Sequence, residues 1–248
     1  MRYNPRRHRL EVCNAYGILL VDKPADWTSF DVVNFVRARF NVPKVGHCGT
    51  LDPAATGLLV LTLGKFTSYS SRFAGEDKVY EATLRLGITT DSYDLEGEVT
   101  STCDVSALDE ETVKNAIMSF VGKQQQLPPM VSAVKVGGKK LYELARKGIE
   151  IEREPRDIEI SRIDISRCAN PDYDFTVECS KGTYIRTLCH DIGQKLGVGG
   201  TLAALRRTRS GKFNISDAIT IEKIKEMDQD AFADHVAAYL LKISGAGL

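Results

Sequence analysis

The chain has 248 residues, 43% of them hydrophobic, and its 33 basic side chains balance 33 acidic ones. This length and composition suit one substantial core with at most a small appended lobe. No run approaches the roughly 18 apolar residues of a membrane helix, and the basic start lacks the apolar segment of a signal peptide. From these features we expect a cytoplasmic protein rather than a membrane or secreted one.

The balanced total conceals a segregated distribution of charge. Acids crowd residues 89–113, which contain no Lys or Arg, whereas bases gather at 2–9, 135–147 and 206–212. Segregated charge can present a basic groove to RNA, although each run taken alone also fits a solvated surface. The six cysteines show neither CxxC spacing nor companion histidines at zinc-ligand spacing, so we expect free thiols and no metal site.

The first half of the chain shows clear strand and helix signals. Its predicted elements are a basic arm (1–14), a buried strand ended by proline (17–24), a helix with a capping box of Thr28 and Asp31, a buried strand bounded by glycines (57–64), a strand of alternating apolar and polar residues (78–86) and an amphipathic helix ended by Gly122 (108–121).

The second half continues the mixture of strands and helices. Its predicted elements are a broken, basic excursion from the sheet (124–152), two strands around a turn at Asn170 and Pro171 (156–166 and 173–180), a helix capped by Thr183 and ended by Gly197, then a short strand and one or two helices ending in a tail (226–248). The pattern indicates a mixed α/β fold of the α+β kind, with a central sheet and flanking helices.

The glycine-rich segment GHCGTLDPAATG contains a candidate catalytic carboxylate, Asp52. Its glycines allow tight backbone paths, and Pro53 forces Asp52 toward extended geometry in a loop before a buried strand. Such a loop can hold one carboxylate as a nucleophile, although Asp before Pro is also a common turn former. The glycines match neither the dinucleotide nor the P-loop pattern, which argues against a nucleotide cofactor.

Arg186 and Tyr80 are two further candidate site residues. Arg186 falls in the first turn of its predicted helix, which is unfavourable for the helix dipole and suggests an anionic partner, either a phosphate or a carboxylate such as Asp52. A surface arginine bonded to a carbonyl is the alternative. Tyr80 lies on the inward side of its strand, where its phenol needs a partner, although an ordinary core tyrosine would look the same.

These segments together resemble the bacterial tRNA pseudouridine synthase B (TruB) family over roughly residues 17–225. The segments that carry the resemblance, in family order and spacing, are DKPADWTSFD, GHCGTLDPAATG, DKVYEATLRLG, LPPMVSAVKVGGKKLYELARKG and CSKGTYIRTLCHDIGQKLG. The resemblance implies a pseudouridine synthase catalytic domain at 15–225, with a central mixed or antiparallel sheet and a thumb insertion at about 124–152. It also implies isomerisation of the T-loop uridine at tRNA position 55.

The resemblance carries residue roles as well. By resemblance, Asp52 matches the nucleophile, and Arg186 matches the arginine that pairs with it. Tyr80 matches the tyrosine that packs on the target base and is implicated in proton transfer, and His47 matches the residue that helps to hold that base out of the loop. The residues that match positions around the pocket are Lys23, Tyr184 and Leu205. It further implies a monomer that acts on the T-arm of tRNA without metal, cofactor or obligate protein partner.

The chain departs from the family pattern in two places. Cys48 replaces a frequent threonine, a small-for-small change, and too few residues follow Phe213 to form the RNA-binding PUA domain of many relatives. We therefore expect 226–248 to be a short helix and tail. Two alternatives stay open: a guide-directed synthase acting on other RNAs, and an RNA-folding chaperone or binding module with silent chemistry.

Overall fold

The computed structural model describes residues 11–130, 135–136, 139–140 and 151–245. The strands are β1 (Gly17–Lys23), β2 (Val45–His47), β3 (Thr56–Leu63), β4 (Lys78–Leu86), β5 (Ile88–Thr90), β6 (Val99–Thr102), β7 (Gly122–Gln126), β8 (Lys135–Val136), β9 (Lys139–Lys140), β10 (Arg156–Ala169), β11 (Asp172–Cys179), β12 (Gly200–Ser210), β13 (Phe213–Asn214) and β14 (Ile219–Thr220). The α-helices are α1 (Ser29–Arg39), α2 (Ser70–Ala74), α3 (Glu110–Met118), α4 (Ile185–Lys195), α5 (Ile221–Glu226) and α6 (Gln229–Gly245).

The chain forms two structural units, and the first takes in the chain up to Gly75 and from Lys212 onward. Its sheet is mixed, because β1 pairs antiparallel with β3 and parallel with β14, while β2 pairs antiparallel with β3. Successive residues of β1 enter different hydrophobic clusters, Leu19 with α1 and α6, and Ile18 with Phe73 and Phe213. Both faces of β1 and β3 are therefore buried, which explains why these strands appear in the sequence as continuous apolar runs.

The second unit comprises Glu76–Gly211. Its main sheet is antiparallel in the order β12, β4, β11, β10 and β7, and β5 pairs with β6 in a separate hairpin. Along β4, the side chains of Tyr80, Ala82 and Leu84 are buried, whereas Glu81 is exposed. This alternation is the one expected of a half-buried strand, and α4 packs against both β12 and β4.

Several sequence predictions are confirmed. The fold is mixed α/β with flanking helices, and β4 has the predicted bounds. The capping box of α1 is present, because Asp31 N–H donates to the Thr28 hydroxyl and Thr28 N–H donates to the Asp31 carboxylate. Gly197 follows the end of α4 with a φ of 74°, the left-handed conformation of a glycine after a helix.

Two predicted helix boundaries are wrong. The helix before Gly122 ends at Met118, and Gly122, with a φ of 118°, opens β7 instead. Thr183 does not cap α4, because its hydroxyl donates to the Ser180 carbonyl at 2.9 Å and Tyr184 occupies the cap position. Both errors have a tertiary cause: β7 pairs with β10, and its last residue, Gln126, binds the backbone of Tyr184.

The predicted excursion at 124–152 is described only in part. Its first three residues belong to β7, and β8 pairs antiparallel with β9. Residues 131–134, 137–138 and 141–150 of this segment lie outside the described residues, as do residues 1–10 of the basic arm at 1–14. Within the part of the chain that the structure describes, no helix has the length and apolar character needed to cross a membrane.

Candidate active site

Asp52 lies in the loop between β2 and β3 of the first unit, and its side chain is partly buried. The backbone before it is held by Ser29, the first residue of α1. The Ser29 hydroxyl donates to the Leu51 carbonyl at 3.1 Å and accepts the Leu51 N–H at 2.9 Å. Within the loop, Ala55 N–H donates to the Asp52 carbonyl at 3.2 Å. The main chain at Asp52 is therefore tied both to α1 and to itself.

Lys23 holds the other side of this loop. Its side chain is fully buried, and its ammonium donates to the carbonyls of Pro53, Pro24 and Trp27 at 3.0, 2.8 and 2.6 Å. Asp26 N–H donates to the same Pro53 carbonyl at 3.0 Å. A buried ammonium is tolerated when its N–H groups meet acceptors, and these carbonyls provide them. Lys23 thus binds the residue that directly follows Asp52.

His47 ends β2, opposite Leu61 of β3, and its side chain is partly buried. The next residue, Cys48, is fully buried in one of the two apolar clusters of this unit and donates its N–H to the Val60 carbonyl at 2.9 Å. The backbone hydrogen bonding to β3 therefore continues one residue past His47, at a position whose small side chain is buried. In this unit, Lys23, His47 and Asp52 all lie on or beside segments that β3 and α1 hold in place.

Tyr80 lies on β4 of the second unit and is 9% exposed. Its neighbours across the sheet are Val177 of β11 and Arg207 of β12, while Leu205 of β12 lies opposite Ala82. Directly opposed residues of paired strands share a face, and so do residues two positions apart on one strand. Tyr80, Leu205 and Arg207 therefore lie on one face of this sheet.

Arg207 is 1% exposed. The sequence allows the basic run at 206–212 to present a groove to RNA, but Arg207 is buried and Arg209 forms an ion pair with Glu178. The cluster is not an open basic surface along its whole length. Arg207 also acts on Lys78, where burial and then the positive charge of Arg207 lower the pKa of the lysine.

Arg186 is the second residue of α4 and is 4% exposed. Its Nη1 donates to the Ser92 carbonyl at 3.0 Å and lies 3.5 Å from Oδ2 of Asp94. The predicted need for an anionic partner is thus met in part by Asp94, which compensates for a cation at the positive end of the helix dipole. The predicted pairing of Arg186 with Asp52 stays a prediction.

The sequence does not single out Asp94, which lies in the acidic run at 89–113 that also fits a solvated surface. Its side chain is only 15% exposed, and its Oδ1 accepts from the Ser92 hydroxyl at 2.5 Å and from Glu96 N–H at 3.1 Å. These bonds orient the carboxylate so that Oδ2 faces Arg186. Nothing in the spacing of eight acids distinguishes this one, and only the unexplained position of Arg186 pointed to such a residue.

A second contact joins the same loop to α4. Tyr93 has a φ of 64°, and its ring stacks on that of His190, one helical turn after Arg186, with centroids 3.9 Å apart. Burial lowers the pKa of His190, which favours the neutral ring. The loop that carries Ser92 and Asp94 is therefore held at two successive turns of α4.

Tyr184 precedes the first residue of α4, and no side chain of its own caps the helix. Gln126 of β7 instead holds the backbone of Tyr184, because its carboxamide donates to the Tyr184 carbonyl and accepts from the Tyr184 N–H. In this unit, Tyr184 and Arg186 thus lie on the helix that packs against the strand carrying Tyr80. The structure brings together the four predicted site residues of the second unit on these neighbouring elements.

Comparisons with known proteins agree on one family. The profile of the TruB family pseudouridylate synthase N-terminal domain matches residues 37–185, and that of the tRNA pseudouridylate synthase B C-terminal domain matches residues 186–242. The tRNA pseudouridine synthase B of Opitutus terrae is 51% identical over 211 residues, which cover 85% of this chain and 88% of the relative. That of Clostridium tetani is 49% identical, over 87% of this chain and 75% of the relative.

A solved structure, a crystal structure of a Cbf5–Nop10–Gar1 complex, contains a chain that is 28% identical, with a TM-score of 0.68 over 94% of this chain. This chain spans 65% of that longer one. The family profiles together run from residue 37 to residue 242 and include Asp52, Tyr80 and Arg186. On these grounds the chain belongs to the TruB family of pseudouridine synthases, which are isomerases.

Proposed function

We propose that this chain isomerises the uridine at position 55 in the T-loop of tRNA to pseudouridine, with Asp52 as the nucleophile. The observation that carries the proposal is the loop at Asp52, whose backbone is held by Ser29 and by Lys23 on its two sides. Relatives named tRNA pseudouridine synthase B match most of the chain and support tRNA as the substrate. Residues 15–225 would form the catalytic domain, acting in the cytoplasm as a monomer without a cofactor.

The first step is exposure of the uridine. A nucleotide stacked in an RNA loop hides its sugar and ring edge, so the enzyme must flip it out and replace the lost stacking. In our proposal, His47 fills the gap in the loop. The ring of Tyr80 packs on the extruded base, and Leu205, on the same face of the sheet, adds apolar contact. Lys23 braces the backbone beside Asp52, and Tyr184 contributes to the pocket around the base.

The second step breaks the bond between N1 and C1′, turns the uracil and joins C5 to C1′. The proton leaves C5 and N1 gains one, so the products balance without a redox partner or a phosphate donor. Asp52 would attack at C1′ or at ring C6, or would assist elimination at the sugar. Either Tyr80 or Asp52 would then remove the C5 proton.

Arg186 has an electrostatic part in this scheme. A partly buried carboxylate tends to a raised pKa, and a neighbouring guanidinium opposes that rise and keeps the group ionised. The planar guanidinium carries five N–H donors, so one arginine can serve two carboxylates. We propose that Arg186, oriented by Ser92 and Asp94, also pairs with Asp52 during the reaction.

The proposal is tested with an unmodified tRNA transcript and the purified protein alone. Pseudouridine is mapped by carbodiimide treatment and primer extension, and the expected result is one strong stop directly on the 3′ side of position 55. A transcript with cytidine at that position is the control and should give no stop. Modification that needs a guide RNA and accessory proteins would favour the guide-directed alternative, and faster tRNA folding without modification would favour a chaperone.

A further inference from the structure

Gln126 makes an uncommon pair of contacts. It is the last residue of β7 and is 5% exposed. Its Nε2 donates to the Tyr184 carbonyl at 3.0 Å, and its Oε1 accepts the Tyr184 N–H at 2.8 Å. One buried side chain thus satisfies the donor and the acceptor of a single residue that is 58 positions away in the chain.

The geometry of Tyr184 explains why a carboxamide fits here. Tyr184 has extended backbone angles, φ −103° and ψ 111°, so its N–H and C=O point to the same side, as in an antiparallel strand pair. A glutamine carboxamide offers one acceptor and a donor in one plane and can replace the missing neighbouring strand. The Tyr184 carbonyl also accepts the first helical bond of α4, from Leu188 N–H at 3.0 Å.

The contact between Gln126 and Tyr184 lies two residues before Arg186, whose guanidinium is buried. Arg186 projects from the first turn of α4 toward Ser92 and Asp94, and its direction depends on where α4 begins. Tyr184 makes no side-chain cap bond to α4, and its backbone bonds to Gln126 tie the start of this helix to β7. A displacement of about 1 Å in such a group can lower a rate roughly a hundredfold.

We propose that Gln126 is a positioning residue of the isomerisation: it clamps the main chain of Tyr184 so that the side chains of Tyr184 and Arg186 are held in place for the reaction. The inference rests on the proposed function. It assigns to β7 a part in the reaction as well as in the sheet, with the buried Gln126 acting through Tyr184.

The test uses Gln126→Glu, because the introduced carboxyl changes its bonding with pH. When protonated, it can donate to the Tyr184 carbonyl and accept the Tyr184 N–H. When ionised, it loses the donor and faces the carbonyl with negative charge. Burial raises the pKa of such a carboxyl above its ordinary range, so the change should fall within the range of pH in which the enzyme can be assayed.

The measurement is the single-turnover rate with saturating tRNA at pH 5.5 and 8.5, each divided by the wild-type rate at the same pH. We expect the ratio to fall about tenfold or more as the pH rises, with RNA affinity within about threefold of wild type. The control is Gln125→Glu, which makes the same change on the adjacent, exposed residue of β7 and should give a ratio near one at both values.

Three results would overturn the inference: a Gln126→Glu rate within threefold of wild type at pH 8.5, a loss that is the same at both pH values, or weaker RNA binding with an unchanged rate in the bound complex. The second result would assign Gln126 to folding alone, and the third to RNA binding. An inactive wild-type protein would instead contradict the proposed function, so the two failures are distinguishable.

Discussion

Three basic side chains of this protein, Lys23, Arg186 and Arg207, are buried. Lys23 and Arg207 are among the largest fully buried side chains of the described residues, and Arg186 is nearly as buried. A buried charge is costly unless hydrogen bonds or an opposite charge compensate for it. Lys23 meets three carbonyls, and Arg186 meets Ser92 and Asp94. These costly groups lie beside the residues proposed to act on uridine.

Replacing Lys23 tests whether its ammonium braces the Asp52 loop. Lys23→Met keeps the apolar length but removes the donor to three carbonyls, of which that of Pro53 keeps the Asp26 N–H. The free energy of unfolding should therefore fall by about 2–6 kcal/mol, since each unsatisfied buried group costs about 1–3 kcal/mol. Urea unfolding measures this value. Lys65→Met, at an exposed position, is the control and should change it little. Equal stabilities would show that the three bonds do not stabilise the fold.

Asp191 on α4 should make stability depend on pH. Burial raises the pKa of Asp191 to about 6, above the unfolded value of about 3.9. A raised carboxyl pKa means that stability falls as the pH rises from about 4 to 6 and stays lower above that range. The free energy of unfolding of Asp191→Asn should therefore exceed that of wild type by about 1–2 kcal/mol at pH 8 and should equal it near pH 4. This figure is reduced from the full shift because the side chain is partly exposed.

The measurement is urea unfolding of both proteins at several pH values. Asp234→Asn on α6 makes the same change at an exposed site and should show no such gain. A stability difference between Asp191→Asn and wild type that stays constant from pH 4 to pH 8 would contradict the buried carboxyl as its source.

At the level of elements, sequence patterns predict those structures whose signals are local. The capping box of Thr28 and Asp31 and the alternation of 78–86 depend on neighbouring residues, and both are confirmed. The predicted end of α3 and the predicted beginning of α4 are wrong because distant elements decide them: β10 pairs with β7, and Gln126 binds Tyr184. Asp94 was missed for the same reason, because its partner is 92 positions further along the chain.

Ser29, the first residue of α1, holds the backbone of the Asp52 loop through its bonds to Leu51. Ser29→Ala removes both bonds to Leu51 and leaves a buried N–H and carbonyl without their hydroxyl partner. We expect the single-turnover rate to fall about tenfold or more, because a small shift of the nucleophile misaligns it. The rate is measured well below the unfolding temperature, so that lost stability does not confuse the result.

Thr28→Ala is the matched control for Ser29→Ala. It removes the cap of the same helix, at a cost of about 1 kcal/mol in stability, but touches no residue of the loop in the contacts described above. If both variants lose rate equally, the effect comes from α1 as a whole and the specific role of the Ser29 hydroxyl is wrong.

At the scale of the whole molecule, the cysteines report on the interior of each unit. None of the six, all of which the structure describes, is in a disulfide, and Cys13 and Cys48 are buried in the first unit while Cys179 and Cys189 are buried in the second. Burial raises the pKa of Cys179 to about 12 and raises that of Cys189 as well. Because the thiolate is the reactive form, these groups should be inert in the folded protein.

Labelling with iodoacetamide at pH 8, followed by peptide mass spectrometry, tests this expectation. Cys103 is exposed and should react first, and Cys168, which is partly exposed and has a pKa raised chiefly by burial, should react slowly. The four buried thiols should react only after denaturation. Labelling of Cys179 or Cys189 at the rate of Cys103 would show that the second unit opens readily.

The central claim is that this TruB-family chain forms pseudouridine with Asp52 as the nucleophile, and the most direct measurement is pseudouridine formed in a single turnover by Asp52→Asn. The amide keeps the shape of the side chain but is not a nucleophile, so we expect no detectable product while RNA affinity stays within about tenfold of wild type. Asp26→Asn is the control, at an exposed position with a φ of 63° that asparagine tolerates, and it should keep the wild-type rate. A rate for Asp52→Asn within tenfold of wild type would contradict the account.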